Sequence, residues 1–372
     1  MQNPDPKVSV CIPTYNHEKY ISHAIESILK QETDFDYEII LGEDESQDGT
    51  REICIEYARR YPDRIRLFLR SRKDVIYING SPTGRFNLIE SYKAARGKYI
   101  AMLEGDDYWT DPLKLQKQAD YLDNNPDCTL CFHNALRFDE KSQEFVGVEG
   151  PDEIKDKYQL SDLLNTFFPT CSTMYRNGLI KEFPDWFLRM PWGDNPLHIL
   201  HAQHGAIGFI NEVMGVHRIH PGGICTGLDD ISRSLTIIIQ LNFYIVFLPQ
   251  YADLIQEQID SRWEILVYHL KDKFYFEDIP NKNIRDEIHK TLENWPEDLA
   301  LSPQKKKQLT RMLLQVTFFQ YYKDKDYPSI RRTLLHNIRM NPKLFTNRGA
   351  ISIYLEAFLG PDIANRIRSL SR

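Results

Sequence analysis

The chain has 372 residues, 42% of them hydrophobic and 12% aromatic, enough apolar material for one large or two modest cores. Its net charge of −7, with acids and bases interleaved, excludes the broad basic footprint of a nucleic-acid binder. Six cysteines, spaced singly apart from Cys128-x-x-Cys131, and no basic-then-apolar leader at the amino terminus predict a reducing, cytoplasmic setting.

In chain order, Val8–Ile12 predicts a first strand stopped by Pro13. Thr14-Tyr15-Asn16 follows as a polar loop, with Asn16 as helix N-cap. Tyr20, Ile21, Ala24, Ile25, Ile28 and Leu29 then fall on one helical face. Tyr37–Leu41 predicts a second strand, followed by the acidic run Glu43–Thr50. Ile53, Cys54, Tyr57 and Ala58 mark a second helix, Ile65–Leu69 a third strand, and Phe86–Arg96 a helix with Gly97 as C-cap. Tyr99–Leu103 reads as a buried parallel strand, and Glu104-Gly105-Asp106-Asp107 follows at once.

Acids at the carboxyl end of a buried strand lie where open α/β sheets bind ligands. A small divalent cation takes one or two carboxylates and leaves its other positions to water and phosphate oxygens. The competing reading is a solvated acidic turn, for which Asp111-Pro112 supplies N-cap and N1 residue types. Neither a Gly-x-Gly-x-x-Gly nor a P-loop spelling occurs, so phosphates must be held another way, and a metal on carboxylates is the natural substitute.

Further on, Thr129–His133 reads as a strand, which favours buried thiols over a zinc or redox pair at Cys128 and Cys131. Phe138–Val148 predicts a hairpin, Thr170–Arg176 a strand, and Pro191–Leu197 a loop before a short helix. Ile207–Ile210 and Val213–His217 are further strands. The alternation predicts an α/β class, with a Rossmann-like, mainly parallel sheet and helices on both faces. From Asp229 glycine becomes rare, and amphipathic patterns over 254–273, 304–322 and 327–340 predict a mostly helical accessory region. The domains are thus 1–228 and 229–372. The apolar run Leu235–Leu248 is interrupted by polar residues and shorter than the ~20 residues of a membrane span, which favours a core helix. A membrane-surface or partner helix stays open.

Four separated motifs over Lys7–Gly223 resemble the bacterial family 2 glycosyltransferases of GT-A fold. They are Val8–Asn16, Glu43–Thr50, Glu104–Asp107, and Gly193-Asp194-Asn195-Pro196-Leu197, with His217-Arg218-Ile219-His220 after them. Glu43, Glu45 and Glu104 depart from the family's usual aspartates and glycine. The resemblance implies an inverting hexosyltransferase that moves a sugar from a UDP- or dTDP-linked donor to a glycan or lipid-linked oligosaccharide acceptor, in surface polysaccharide synthesis. It implies Asp194 as catalytic base, and Pro13, Thr14, Tyr15, Asp44, Arg85 and Asp106 as donor contacts. Asp106, Asp107 and His220 would hold Mn²⁺ or Mg²⁺. Trp109 and Trp192 are candidates for the acceptor wall, with core packing as the alternative. Peripheral association with the inner membrane face and self-association through the carboxyl-terminal helices are further expectations. The alternative of another class is a catalytically inactive nucleotide- or sugar-binding module of the same fold.

Overall fold

A computed structural model describes residues 5–78, 81–164, 168–223, 230–275, 325–328, 330–331, 348–361 and 363. The chain divides into two compact units, one of residues 1–227 with 243–258, the other of 228–242 with 259–372. The observed division thus differs from a single cut at 228, because 243–258 returns to the first unit.

The first unit begins with β1 (Val8–Thr14), α1 (Ile21–Leu29), β2 (Tyr37–Glu43), α2 (Thr50–Arg60), β3 (Ile65–Leu69), α3 (Arg85–Lys93) and β4 (Tyr99–Met102). There follow β5 (Tyr108–Trp109), α4 (Lys114–Asn124), β6 (Cys128–Asp139), β7 (Glu144–Glu149), β8 (Lys157–Tyr158), β9 (Met174–Arg176), α5 (Asp194–Ala202) and β10 (Ala206–Ile219). The main sheet runs β8-β10-β6-β9-β4-β1-β2-β3, with β5 beside β10 and β7 beside β6. β4, β1, β2 and β3 are mutually parallel, as their apolar runs predict. The second half is mixed: β9 runs antiparallel between β4 and β6, while β6 and β10 are parallel.

Alternation along β1 places helices on both faces. Val8, Val10 and Ile12 pack in one cluster with Ile21, Ala24 and Ile25 of α1, Cys54 and Tyr57 of α2, and Leu115 and Ala119 of α4. On the opposite face the Cys11 thiol donates to the Ser91 carbonyl of α3 at 3.4 Å. Tyr92 of α3 meets His201 of α5 at 2.8 Å.

Several local expectations are corrected. Pro13 lies within β1, opposite Gly42 of β2. Leu103 N–H donates to Cys11 O, so odd-numbered residues of β1 direct their backbone groups toward β4, which ends at Met102. Pro13 thus lacks a donor where none is needed. Asn16 is not a helix cap; α1 starts at Ile21 after Tyr20, which makes no side-chain cap bond. Gly97 is not the C-cap of α3, which is Ala94. A Cβ on Gly97 would lie 2.6 Å from Ser9 N, so this position needs glycine for close backbone approach to β1. The 170–176 strand is a 3₁₀ turn, Thr170–Ser172, before β9. The two segments within 207–217 are one strand with a bulge near Val213. Cys128 and Cys131 are buried free thiols.

α6 (Asp230–Phe247) and α7 (Ala252–Tyr275) cover the predicted 254–273 helix. In the second unit α8 (Arg348–Leu359) buries Ala350, Ile353, Tyr354 and Ala357 along one helical stripe. The 304–322 pattern and most of 327–340 lie outside the described residues. Among the described residues, no single helix is long and apolar enough to cross a membrane.

One core residue carries a measurable cost. Lys114 is fully buried, its Nζ 3.7 Å from the Trp109 ring centroid and without a hydrogen-bond partner among the described residues. Burial pulls its ammonium down to about 7. In the unfolded chain a lysine keeps its proton to about pH 10, so the unfolded state binds more protons between these values. The penalty is complete below pH 7 and is relieved as pH rises toward 10. Lys114→Met is expected to stabilise the fold at pH 7 and to flatten this rise, as read from urea midpoints at pH 7 and 9. An unchanged or lower midpoint at pH 7 would count against it.

Candidate functional site

The carboxyl ends of β1, β2 and β4 meet as three loops. Two of them are cross-tied: Asn16 N–H donates to Ser46 Oγ at 2.9 Å, and Gln47 N–H donates to Asn16 Oδ1 at 2.8 Å. Asn16 (φ 55°) and Glu45 (φ 58°) both hold left-handed backbone, which non-glycine residues adopt only when their surroundings impose it. Glu45 Oε2 accepts from Arg72 N–H at 2.6 Å, fastening a third segment. Glu43 is committed to structure, accepting from Ser46 N–H at 2.6 Å and from the Arg51 guanidinium.

Asp44 is buried, and its Oδ2 accepts from Arg72 Nη1 at 2.8 Å. Its Oδ1 has no partner among the described residues. Burial raises this carboxyl, and the Arg72 charge opposes the rise. The same guanidinium lies 4.1 Å from the Tyr15 ring centroid. Tyr15, Arg72 and Asp44 therefore form one cluster of an aromatic face, a cation and a carboxylate whose Oδ1 has no partner among the described residues. Arg72 was missed in the sequence, where nothing marks it off from the adjacent Arg70 and Lys73.

The acidic turn after β4 is packed against the β1 loop. A Cβ on Gly105 would lie 2.5 Å from Thr14 Oγ1 and 2.6 Å from His17 Nδ1, so only glycine admits this approach. Asp106 Oδ2 accepts from His220 Nε2 at 3.1 Å and lies 3.7 Å from His17 Nε2. Its Oδ1 is buried without a partner among the described residues. Burial would raise its pKa, but His17 and the His220 hydrogen bond outweigh this and lower it. Asp107 behaves differently. Its Oδ1 accepts from Arg218 N–H at 2.9 Å, and burial raises its carboxyl to about 7. Glu104 is raised well above its usual range, first by burial and then by Asp106, Asp107 and Asp194.

His217, on β10, closes this side. Its Nδ1 pairs with Glu149 Oε2 at 2.9 Å. Burial disfavours its charge, but the Glu149 bond with the nearby Asp107 and Glu104 carboxylates raises it to about 10. The sequence gives no sign of the Glu149 partnership, because it depends on β7 folding back along β6.

Asp194 opens α5, and its Oδ1 accepts from Asn195 N–H at 2.8 Å. Burial raises its carboxyl against this backbone bond and the Arg85 charge. Its charge also contributes to the raised carboxyl of Glu104.

The structure thus gathers Thr14, His17, Asp106 and His220 in one cluster, and Tyr15 with Asp44 in another; Pro13 is half-buried beneath the loop. Arg85 is not presented to a phosphate. It is buried and donates to the carbonyls of Phe187 and, at 3.0 Å, Met190. Burial lowers it to about 10. Asp107 has one oxygen turned to the β10 backbone, which leaves Asp106 as the acid with an unused buried oxygen. Trp109 is a core residue whose indole donates to Cys171 O at 2.8 Å, so it cannot wall an acceptor site, while Trp192 is half-buried.

Among the described residues no three His, Cys, Asp or Glu side chains form a ready-made cage for a divalent ion. The unused Asp106 Oδ1, beside further carboxylates, does fit an ion that takes one or two protein oxygens and completes its shell with diphosphate and water.

Residues 9–183 match the model of Glycosyl transferase family 2. An uncharacterized protein of Mycobacterium bovis is 36% identical over 221 residues, 58% of this chain and 60% of that protein. An uncharacterized glycosyltransferase of Nostoc is 30% identical over 225 residues, covering 58% and 65%. The chain thus spans less than two thirds of these relatives' own length. A mannosyltransferase of Pyrobaculum calidifontis, solved with GDP-Man and Mn²⁺, superposes with a TM-score of 0.50 at 13% identity over 84% of this chain and 86% of that one, a likeness of GT-A fold.

Proposed function

Because residues 9–183 belong to glycosyl transferase family 2, we propose that the chain is an inverting glycosyltransferase. It takes a nucleoside diphosphate sugar, with uridine or thymidine as the first candidates, and glycosylates a glycan or lipid-linked oligosaccharide in polysaccharide synthesis. The observation that carries the reading is the pair of buried, unused carboxylate oxygens, Asp44 Oδ1 and Asp106 Oδ1, at the ends of strands flanking β1. An unsatisfied buried acceptor is costly, and two at one rim are best explained by a ligand that supplies donors or a cation.

Asp44 would accept from an N–H of the base, with Tyr15 and Arg72 along the base's face. Mn²⁺ or Mg²⁺, held by Asp106 with His220 beside it, would neutralise charge on the departing diphosphate. Asp107 keeps one oxygen on Arg218 N–H and thereby holds the acidic turn to β10. Asp194, on a separate loop, would take the proton of the acceptor hydroxyl as that oxygen attacks the anomeric carbon. Inversion needs no covalent enzyme intermediate. A cytoplasmic setting, at the inner membrane face when the acceptor is lipid-linked, belongs to the same proposal.

The test is a screen of nucleotide sugars with Mn²⁺ or Mg²⁺, scored for transfer and for slow donor hydrolysis. Turnover of at least one donor is expected; binding without turnover across the screen would favour the inactive module. Asp44→Ala separately tests the base contact. Removing a charged acceptor should weaken nucleoside diphosphate binding about ten- to a hundredfold with the fold intact. Unchanged calorimetric affinity for UDP and dTDP would move the base elsewhere.

A further inference from the structure

Tyr244 lies near the end of α6, beyond the stretch 9–183 that matches the family, yet its segment belongs to the first unit. It is buried, and its hydroxyl donates to Asn195 Oδ1 at 2.7 Å. Asn195 is the residue whose N–H binds the Asp194 carboxylate. The same end of α6 holds the preceding loop: Phe247 stacks on Trp186 at 5.5 Å, and the Arg189 guanidinium lies 5.4 Å from the Phe243 ring centroid. From the other side Arg85 of α3 binds the carbonyls of Phe187 and Met190. Residues 186–195 are therefore held between two helices, and Tyr244 makes the bond adjacent to Asp194.

We propose that Tyr244 is a positioning residue that, through Asn195, orients the Asp194 carboxylate, so that the end of α6 forms part of the reaction apparatus. The catalytic half of this inference rests on Asp194 acting as the base. Asn195 N–H occupies Asp194 Oδ1 and so sets which carboxylate oxygen faces the reacting hydroxyl. Tyr244 holds the Asn195 side chain, and so restrains the residue whose backbone N–H binds Asp194 Oδ1. Small misplacements of a reacting group are costly because orientation is worth orders of magnitude in rate.

The test uses the full chain carrying Tyr244→Phe, which deletes the hydroxyl and keeps the ring. Three readouts are taken: hydrogen exchange over 186–197, thermal midpoint, and the split between kcat and donor KM. Exchange at 194–197 is expected to quicken, the midpoint to move little, and kcat to fall on the order of tenfold with donor KM within about twofold. Unchanged exchange overturns the proposal whether or not the protein transfers sugar. Faster exchange with wild-type kcat overturns the catalytic half and leaves Tyr244 as packing. A rise in donor KM alone would assign it to donor binding and also overturn the proposal. If the wild-type protein turns over no donor, the function reading fails, while faster exchange in the variant still supports the tie to Asn195.

Discussion

Asp194→Asn is expected to reduce sugar transfer by about a hundredfold to ten-thousandfold, the range for removal of a general base. Asparagine keeps the size of the side chain and an oxygen for Asn195 N–H, but it cannot take up a proton. Donor and metal affinity should change little, which separates loss of the chemical step from loss of binding. The pH dependence has a definite sign. Burial raises the Asp194 carboxyl above the ordinary aspartate range, so kcat should fall as pH drops through that raised value. The limb should be absent from the residual rate of the variant. Transfer within a few-fold of wild type would exclude Asp194 as the base. Glu212, a nearby acid in sequence, would not replace it, because its exposed carboxylate pairs with Lys117 at 2.5 Å. Glu104, which shares the field of Asp194, would be the next candidate.

Asp106→Ala is expected to lower turnover by at least about a hundredfold, the scale seen when a group that stabilises developing negative charge is removed. It deletes the unused buried oxygen and also the partner of His220. Independent of activity, calorimetry should show that Mn²⁺ no longer strengthens UDP binding. Chelator should abolish wild-type transfer and added Mn²⁺ restore it. Asp107→Asn should behave differently, since its oxygen bound to Arg218 N–H can remain an acceptor. Wild-type Mn²⁺-assisted nucleotide binding in Asp106→Ala would remove this residue from the metal and diphosphate role.

The first half of the sheet was legible because each parallel strand is a short apolar run and each helix has an apolar stripe. Ile65–Leu69 matches its predicted range, and β1, β2 and β4 differ only at their ends. The acidic loops carrying Asp44 and Asp106 stood out as well, since acids at strand ends contrast with the buried runs before them, whereas the roles expected of Tyr15 and Asp194 came from the family resemblance and not from local pattern. Pro13 misled because proline ends a strand only where its missing donor matters, and that depends on which neighbour has already ended.

What the sequence determined by itself was therefore the order of elements, the parallel first half and the acids at its carboxyl rim. These follow from local periodicity and residue chemistry. Only the tertiary structure decided the state of each side chain at the rim. It bound Arg85 to the carbonyls of Phe187 and Met190, turned one oxygen of Asp107 to Arg218, left oxygens of Asp44 and Asp106 unused, and brought Arg72, Glu149 and Tyr244 to the site. The physical reason is distance along the chain. A hydrogen bond between residues tens of positions apart, such as Tyr244 to Asn195, depends on where two elements pack, and neither residue's local pattern encodes it.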